Sequence, residues 1–442
     1  MTASTLDHPR YDFRTASAVP APRARLASLV IGTSAAATAA LLWLVQIVLV
    51  DVAARGHGSD LREALTQWDA QWMTLIADHG YGGFAYTSDP AEPTILRSVA
   101  FFPGYPTVVR AVAAPLTIFG VDDATLIAAV VTSAAASLAL AWGSAVLALE
   151  IWTRAVGHEA GLAASVAVSV VATAVVFGAP MSVVYWMPYS ESLFTALAVW
   201  ALVAMVRGRF GVAGVLVLAA GLTRLTGAAL VATLAVAAAV ELIDYSRRRG
   251  TLTPRPFPCA AAAAPVVGSL GIAGYLAWAS DQTRSAGGYF AIQDRGWGSG
   301  WDWGQSTIGW ISDHAVGGLS DTTQTGYTIS AWSMIAAAAL CVVTLWPVVR
   351  GHLPWQPWVF AVGVAVIVLG SGGIMHSRPR LLLIPISLIA LGLAVLAISA
   401  AARTTGWRRW IIAAAIMAGI VAWCALGIQV SVTMLVDFDY GI

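Results

Sequence analysis

The chain has 442 residues, of which 58% are hydrophobic and only 11% are charged, less than half the roughly 25% charged residues of a soluble domain. That balance excludes a soluble globular protein and indicates an all-α polytopic membrane protein, while a net charge of +1 gives no electrostatic reason for nucleic acid as a partner. Cys259, Cys341 and Cys424 all lie inside apolar runs, so neither a disulfide framework nor a zinc site is implied, and nothing points to redox chemistry.

In chain order, residues 1–25 are polar, carry Arg10, Arg14, Arg23 and Arg25, and read as a disordered cytoplasmic N-terminus. The apolar run 26–50 is longer than the core of a signal peptide and lacks a clean cleavage site, so it reads as a retained membrane helix. A helical span needs about 20 apolar residues, because the hydrocarbon core is about 30 Å thick and leaves no backbone polar group unpaired. This predicts spans near 26–50, 100–119, 125–150, 161–178, 190–206, 211–240, 259–280, 328–350, 357–375, 380–400 and 409–433. Residues 26–442 are expected to form a single transmembrane domain of about eleven helices, with ten to twelve as the range.

Two connections, 51–99 and 281–327, are too long to be simple turns and are expected to carry interfacial helices on the outer face. The first holds Asp51, Asp60, Glu63, Asp69, Asp78, Asp89 and Glu92 against Arg55, Arg62 and Arg97; the second holds Asp281, Asp294, Asp302, Asp313 and Asp321 against Arg284 and Arg295. Arg247, Arg248 and Arg249, and Arg403, Arg408 and Arg409, fall in short connections that suit the inner face. Arg154, Arg207 and Arg209 break the trend, since the helix count puts them outside. One segment between 150 and 210 is therefore expected to be re-entrant or half-spanning.

Polar residues inside apolar spans or gathered in long outer loops carry the functional signal, because an intramembrane charge is costly. From Leu61 the residues Leu65, Trp68, Trp72, Leu75 and Ile76 recur at helical spacing, predicting a surface helix with its tryptophans at headgroup depth. Asp69 either caps that helix at Ala70 or faces a cavity under the loop; Asp78, His79 and the following glycines end it. SVAFFPGYP (98–106) marks irregular backbone at an interface. In WMPYSESLF (186–194), Tyr189, Ser190 and Glu191 open a helix, where a carboxylate meets the favourable end of the dipole. GLTRLTG (221–227) sets Arg224 about fourteen residues into an apolar span, by the count from residue 211, too deep to snorkel easily. Such an Arg needs an anionic partner, either a ligand or a carboxylate such as Glu191. HSRPRLLLIPISL (376–388) brings His376, Arg378 and Arg380 to the outer end of a span, against the positive-inside trend, as anion binding or a lipid headgroup contact would require. GGYFAIQDRGWGSGWDWG (287–304) supplies aromatic faces and hydrogen-bonding side chains that suit a sugar or an interfacial belt.

A carboxylate, guanidinium groups and aromatic surfaces at the mouth of the bilayer suit a lipid-linked phosphosugar: lipid in the membrane, phosphate on Arg, and a carboxylate to deprotonate an acceptor hydroxyl. No Walker loop or dinucleotide fingerprint is present, so no cofactor is expected and a soluble nucleotide sugar is the weaker donor.

In this order QWDAQWMTLIADHGY, AFFPGYP, YSESLF, the Arg of GLTRLTG, FAIQDRGWG and SRPRLLLIP resemble the GT-C membrane glycosyltransferases, and within them the GPI mannosyltransferase 2 (PIG-V-like) family with its bacterial relatives. The resemblance runs over nearly the whole chain. Its basic residues are all Arg and it is rich in Ala, which fits a GC-rich bacterial genome. What the resemblance implies is a polyprenyl phosphate mannose donor, inverting transfer to an α-mannoside on the outer face of the cell membrane, and a catalytic Asp in the first outer loop, which corresponds to Asp69. Arg224, Arg378, Arg380 and His376 are the expected donor-phosphate ligands, and Trp68, Tyr189, Glu191, Gln293 and Trp297 the expected substrate-binding residues; no metal is required if the arginines carry the charge. MSVVYWMPYSES departs from the family, which often has an Asn-Pro-containing approach there. The acceptor stays open between a mannolipid, a lipoglycan and a secreted protein. Rival readings are a lipid flippase or secondary transporter, which would show two related halves, and a GT-C enzyme that uses another lipid-linked sugar.

Overall fold

A computed structural model of the protein describes residues 22–84, 93–247, 256–318 and 320–442. The expected disordered N-terminus falls largely outside these residues, as do Asp89, Glu92, Arg248 and Arg249. The first helix begins at Pro22, inside that segment.

The described residues are helical throughout, with one isolated β-bridge and no strand. Helices α1 (Pro22–Gly56), α2 (Leu61–Leu65), α3 (Asp69–His79), α4 (Ile95–Ser98), α5 (Gly104–Ile118) and α6 (Ala124–Val156) make the first third. Then come α7 (Leu162–Phe177), α8 (Ser190–Val206), α9 (Phe210–Gly221), α10 (Gly227–Arg247) and α11 (Cys259–Gln282). Helices α12 (Tyr289–Trp297), α13 (Gln305–His314), α14 (Thr322–Val349), α15 (Trp355–Leu369), α16 (Arg378–Leu381), α17 (Leu383–Ala402) and α18 (Trp407–Val432) complete the chain.

Seven of the described helices, α1, α6, α10, α11, α14, α17 and α18, are long and apolar enough to cross a membrane; α7, α8, α9 and α15 are apolar but shorter, at 10–17 residues. The perimeter is apolar and exposed, as at Leu41 and Leu44 of α1, Val342 and Trp346 of α14, and Trp410 and Val421 of α18. Water would reject such a surface and hydrocarbon accepts it, so the chain is a polytopic helical membrane protein. Helix α8 is apolar on every side and sits at the centre, with Phe194, Ala198, Val199, Ala201 and Leu202 fully buried.

Two expected spans are corrected. Residues 100–119 do not run from one end of the bundle to the other. Helix α5 starts beside Leu222, whose carbonyl accepts from Gly104 N at 2.7 Å, and the turn after it returns to the same end, where Arg62 meets Asp123 at 2.7 Å and Thr125 donates to Asp78. Arg110 explains the course: it donates to the carbonyls of Ala77 and Ile76 at 2.6 and 2.9 Å, laying α5 along α3 and neutralising the carbonyl end of that helix. The second correction is 211–240, which is not one span but a helical hairpin, α9 and α10, reversing at Leu222–Thr226. A Cβ on Gly227 would lie 3.0 Å from the Cα of Gly221, tighter than an ordinary contact, so glycine lets the two helices close on one another at the turn.

The first long connection is also shorter and more broken than expected. Helix α1 extends to Gly56 and absorbs Asp51 and Arg55, an i,i+4 pair at 2.9 Å. The run from Leu61 splits into α2, capped by Asp60 through Glu63 N at 2.8 Å, and α3. As expected, α3 ends at His79, with Gly80 at φ 72 as its cap.

Candidate functional site

At the end of the bundle where α3 begins, α8 begins and the α9–α10 hairpin turns, the chain encloses a cavity of about 430 Å³. That volume lies within the roughly 300–1,000 Å³ range of small-molecule sites. Its walls come from seven stretches of the chain distant in sequence, and the polar groups among them are delivered for local reasons.

Asp69 is the first residue of α3. The chain enters through Trp68 at φ 56, ψ −118, a conformation that costs a bulky side chain on the order of 1–3 kcal/mol. The capping alternative for Asp69 fails: α3 starts at Asp69 itself, Trp68 occupies the cap, and no side chain accepts a capping bond. The Asp69 carboxylate instead turns into the cavity and accepts from Arg380 Nη1 at 2.6 Å, across 311 residues of sequence.

Glu191 stands in the first turn of α8, only 1% exposed. Its Oε1 lies 2.6 Å from Arg224 Nη1 and 3.5 Å from Arg380 Nε, ion contacts without hydrogen-bond alignment. Arg224 Nη1 also donates to Ser190 Oγ at 3.1 Å. Asp69, Arg380, Glu191 and Arg224 thus form an alternating chain of charges. Because the hairpin turn carries Arg224, that residue sits at a helix break rather than deep in a continuous span. Gly104 fixes the turn, since a Cβ there would meet Leu222 O at 2.8 Å and Thr223 Cγ2 at 2.7 Å.

Tyr189 is completely buried and does not line the cavity. Its hydroxyl donates to Gln67 O at 3.2 Å and its ring lies 5.2 Å from the Arg380 guanidinium carbon, a cation–π seat beneath the cation. Burial, reinforced by the charge of Asp69, pushes the Tyr189 phenol well above its usual range, so it stays protonated. Desolvation works to lower the Arg380 pKa, but Asp69 and Glu191 together outweigh it and raise the value, so Arg380 is a fixed cation.

Arg378 has a different environment. It forms no ion pair with a described carboxylate; it donates to Ser371 O at 2.6 Å, to Gly372 O at 2.9 Å and to Val368 O. Its Nε is buried without a partner. Burial pushes it down to about 10, with Asp302 opposing, and it remains charged at neutral pH. The 370–373 turn that holds it is stitched to the second long connection through the Trp301–Ser371 bridge and Gly372 N to Gly300 O at 2.7 Å. Asp302 anchors that connection by accepting from Gly304 N at 2.9 Å and Ser306 N at 3.0 Å.

An aromatic wall faces the arginines. Trp72 stacks on Phe101 at 5.3 Å and Phe101 meets the edge of Trp297 at 6.1 Å. Trp68, Trp297 and Gln293 line the cavity with them, and Gln293 Nε2 donates to Tyr289 Oη at 3.1 Å. The two tryptophans of the first connection therefore do not act alike: Trp68 is 39% exposed, whereas Trp72 is 8% exposed and packed in the protein rather than at headgroup depth.

Of the expected phosphate ligands, Arg224, Arg378 and Arg380 converge on the cavity and His376 does not. Its ring packs among Phe438, Tyr440 and Tyr327 at 5.4, 5.6 and 6.2 Å, and burial lowers its pKa, so it is neutral at pH 7. Of the expected substrate-binding residues, Trp68, Gln293 and Trp297 line the cavity, while Tyr189 and Glu191 lie behind it. Sequence reasoning missed Arg97, Phe101, Gly441 and Ile442, all of which line it. AFFPGYP carried the signal for Phe101, but nothing local marks the last two residues. Among the described residues, no group of three His, Cys, Asp or Glu side chains is arranged to hold a metal ion. No protein-family model matches the chain, and no curated protein matches it.

Proposed function

We propose that the protein is an inverting membrane glycosyltransferase of the GT-C class that moves mannose from polyprenyl phosphate mannose to an acceptor hydroxyl, giving an α-mannoside. The observation that carries this reading is a half-buried carboxylate, Asp69, that lines one cavity together with Arg378 and Arg380. Asp69 accepts the proton of the acceptor hydroxyl as its oxygen bonds the anomeric carbon. The bond from that carbon to the phosphate oxygen breaks, and its electron pair leaves on polyprenyl phosphate. Arg378, Arg380 and Arg224 stabilise the developing phosphate charge, and the Trp72, Phe101 and Trp297 wall with Gln293 receives the sugar.

The same reading orients the bundle. Taking the seven long and four shorter apolar helices as crossings gives eleven spans. With α5 returning to its starting end and α9–α10 reversing, Arg154, Arg207, Arg209, Arg247, Arg350, Arg403, Arg408 and Arg409 share the end opposite the cavity. The positive-inside trend then makes that end cytoplasmic and the cavity extracytoplasmic. The mismatch expected at Arg154, Arg207 and Arg209 disappears, because the loss of the 100–119 crossing shifts the parity before them and the split of 211–240 restores it after them.

Asp69→Asn tests the chemistry. In membranes supplied with polyprenyl phosphate mannose, transfer should fall by about 10²–10⁴-fold, the contribution of a positioned general base. Near-normal transfer by this variant would remove Asp69 from that role.

A further inference from the structure

Glu191 cannot touch a substrate: it is 1% exposed and absent from the cavity wall. Yet it is the one described carboxylate within 4 Å of two of the cavity's guanidinium groups. Asp69 raises a linked difficulty. Its Oδ2 is occupied by the Arg380 guanidinium at 2.6 Å, so the Asp69–Arg380 contact has to open before that oxygen can take a proton. If Asp69 were the only counter-ion of Arg380, opening it would strand a buried cation, at a prohibitive cost.

We propose that Glu191 is a positioning residue that holds Arg224 and Arg380 from behind the cavity, so that an incoming lipid phosphate takes Arg380 from Asp69 without stranding either guanidinium. This rests on reading the cavity as the site of a lipid-linked phosphosugar. Arg380 is suited to the exchange: Glu191 contacts its Nε, Tyr189 supports its face, and only Nη1 is committed to Asp69. Donor binding thereby frees the base, and the reaction is ordered, donor before acceptor. Glu191 itself moves no proton.

The test titrates the protein, in phosphatidylcholine nanodiscs, with a short-chain polyprenyl phosphate, which needs no sugar transfer to be read. Glu191→Gln keeps the shape and makes the site more positive by one charge. A residue acting only through its charge would then tighten phosphate binding, whereas loss of positioning weakens it, by about tenfold. Glu191→Asp keeps the charge but withdraws it by one methylene; it should weaken binding less than Glu191→Gln and raise the donor KM more than it lowers kcat. Asp69→Asn should bind the phosphate about twofold to fivefold more tightly, because Arg380 no longer has a competitor. Unchanged or tighter binding in Glu191→Gln, or unchanged binding in Glu191→Asp should the Gln variant not fold, overturns the proposal. Failure of the unsubstituted protein to bind polyprenyl phosphate overturns the donor reading itself, a separate outcome.

Discussion

Two groups of charges sit at opposite ends of helix α8. Near its C-terminus Arg207 Nε meets Glu150 Oε1 at 2.7 Å, and Arg154 is a second cation that feels the same carboxylate. At its N-terminus Arg224 and Arg380 share Glu191 and Asp69, Arg378 stands beside them without an ion pair to a described carboxylate, and all three open on a cavity of about 430 Å³. The first group closes Arg207 on a carboxylate and tethers α6 to the end of α8. In the second, Arg378 is held by backbone carbonyls, which orient a cation but do not neutralise it, and Asp302 acts on it without an ion contact. A buried guanidinium that faces a cavity without an ion contact is what an anionic ligand can complete; one already closed on a carboxylate has less to offer.

The comparison can be broken at either end. Arg378→Ala should cost the most, weakening donor phosphate binding by roughly 10- to 100-fold, as loss of a charge-assisted contact does, with little change in thermal stability; a titration with polyprenyl phosphate reads it. Gly104→Val is next. The added side chain pushes on Leu222 and Thr223, displacing the turn that carries Arg224, and the donor KM should rise several-fold in a folded protein. At the other end, Arg207→Ala should destabilise the protein by about 1–2 kcal/mol, less than for a fully buried pair because Arg207 is a third exposed. Transfer per folded molecule should not change; a large loss there would mean that the two groups are not independent.

The smallest effect is pH dependence at His376. Burial sets its folded pKa below 6.5, so above pH 6.5 the ring is neutral in both states. As pH falls below 6.5 the unfolded chain takes up a proton that the folded chain resists, and stability declines. His376→Phe should flatten the melting temperature between pH 7 and 5 by an amount worth less than about 1 kcal/mol.

Hydropathy made the long helices legible because it sums over about 20 residues, and α6, α11, α14, α17 and α18 fall where it puts them. It failed where one residue decides. Arg110 lays α5 on the surface of α3 although Val, Ala, Pro and Leu dominate that helix. Glycines at 221 and 227 fold α9 onto α10 inside an apolar stretch. Local motifs located Asp69, Glu191 and Arg224, and an Arg224–Glu191 pairing was foreseeable from their rarity in apolar surroundings. That Asp69 reaches Arg380 was not, because no local pattern encodes a contact between residues so far apart in sequence. His376 was misread for the opposite reason: it shares a motif with Arg378 and Arg380, but its ring turns toward Phe438 and Tyr440, which come later in the chain.

The most direct measurement is made on the purified protein in sealed vesicles, with polyprenyl phosphate mannose labelled in the sugar and a hydroxyl acceptor on the cavity side, followed by determination of the product's anomeric configuration. An α-mannoside and free polyprenyl phosphate, formed without a nucleotide sugar, is the expected result. Intact donor moved across the bilayer with no new glycosidic bond would contradict it, and would make the cavity the binding site of a lipid transporter.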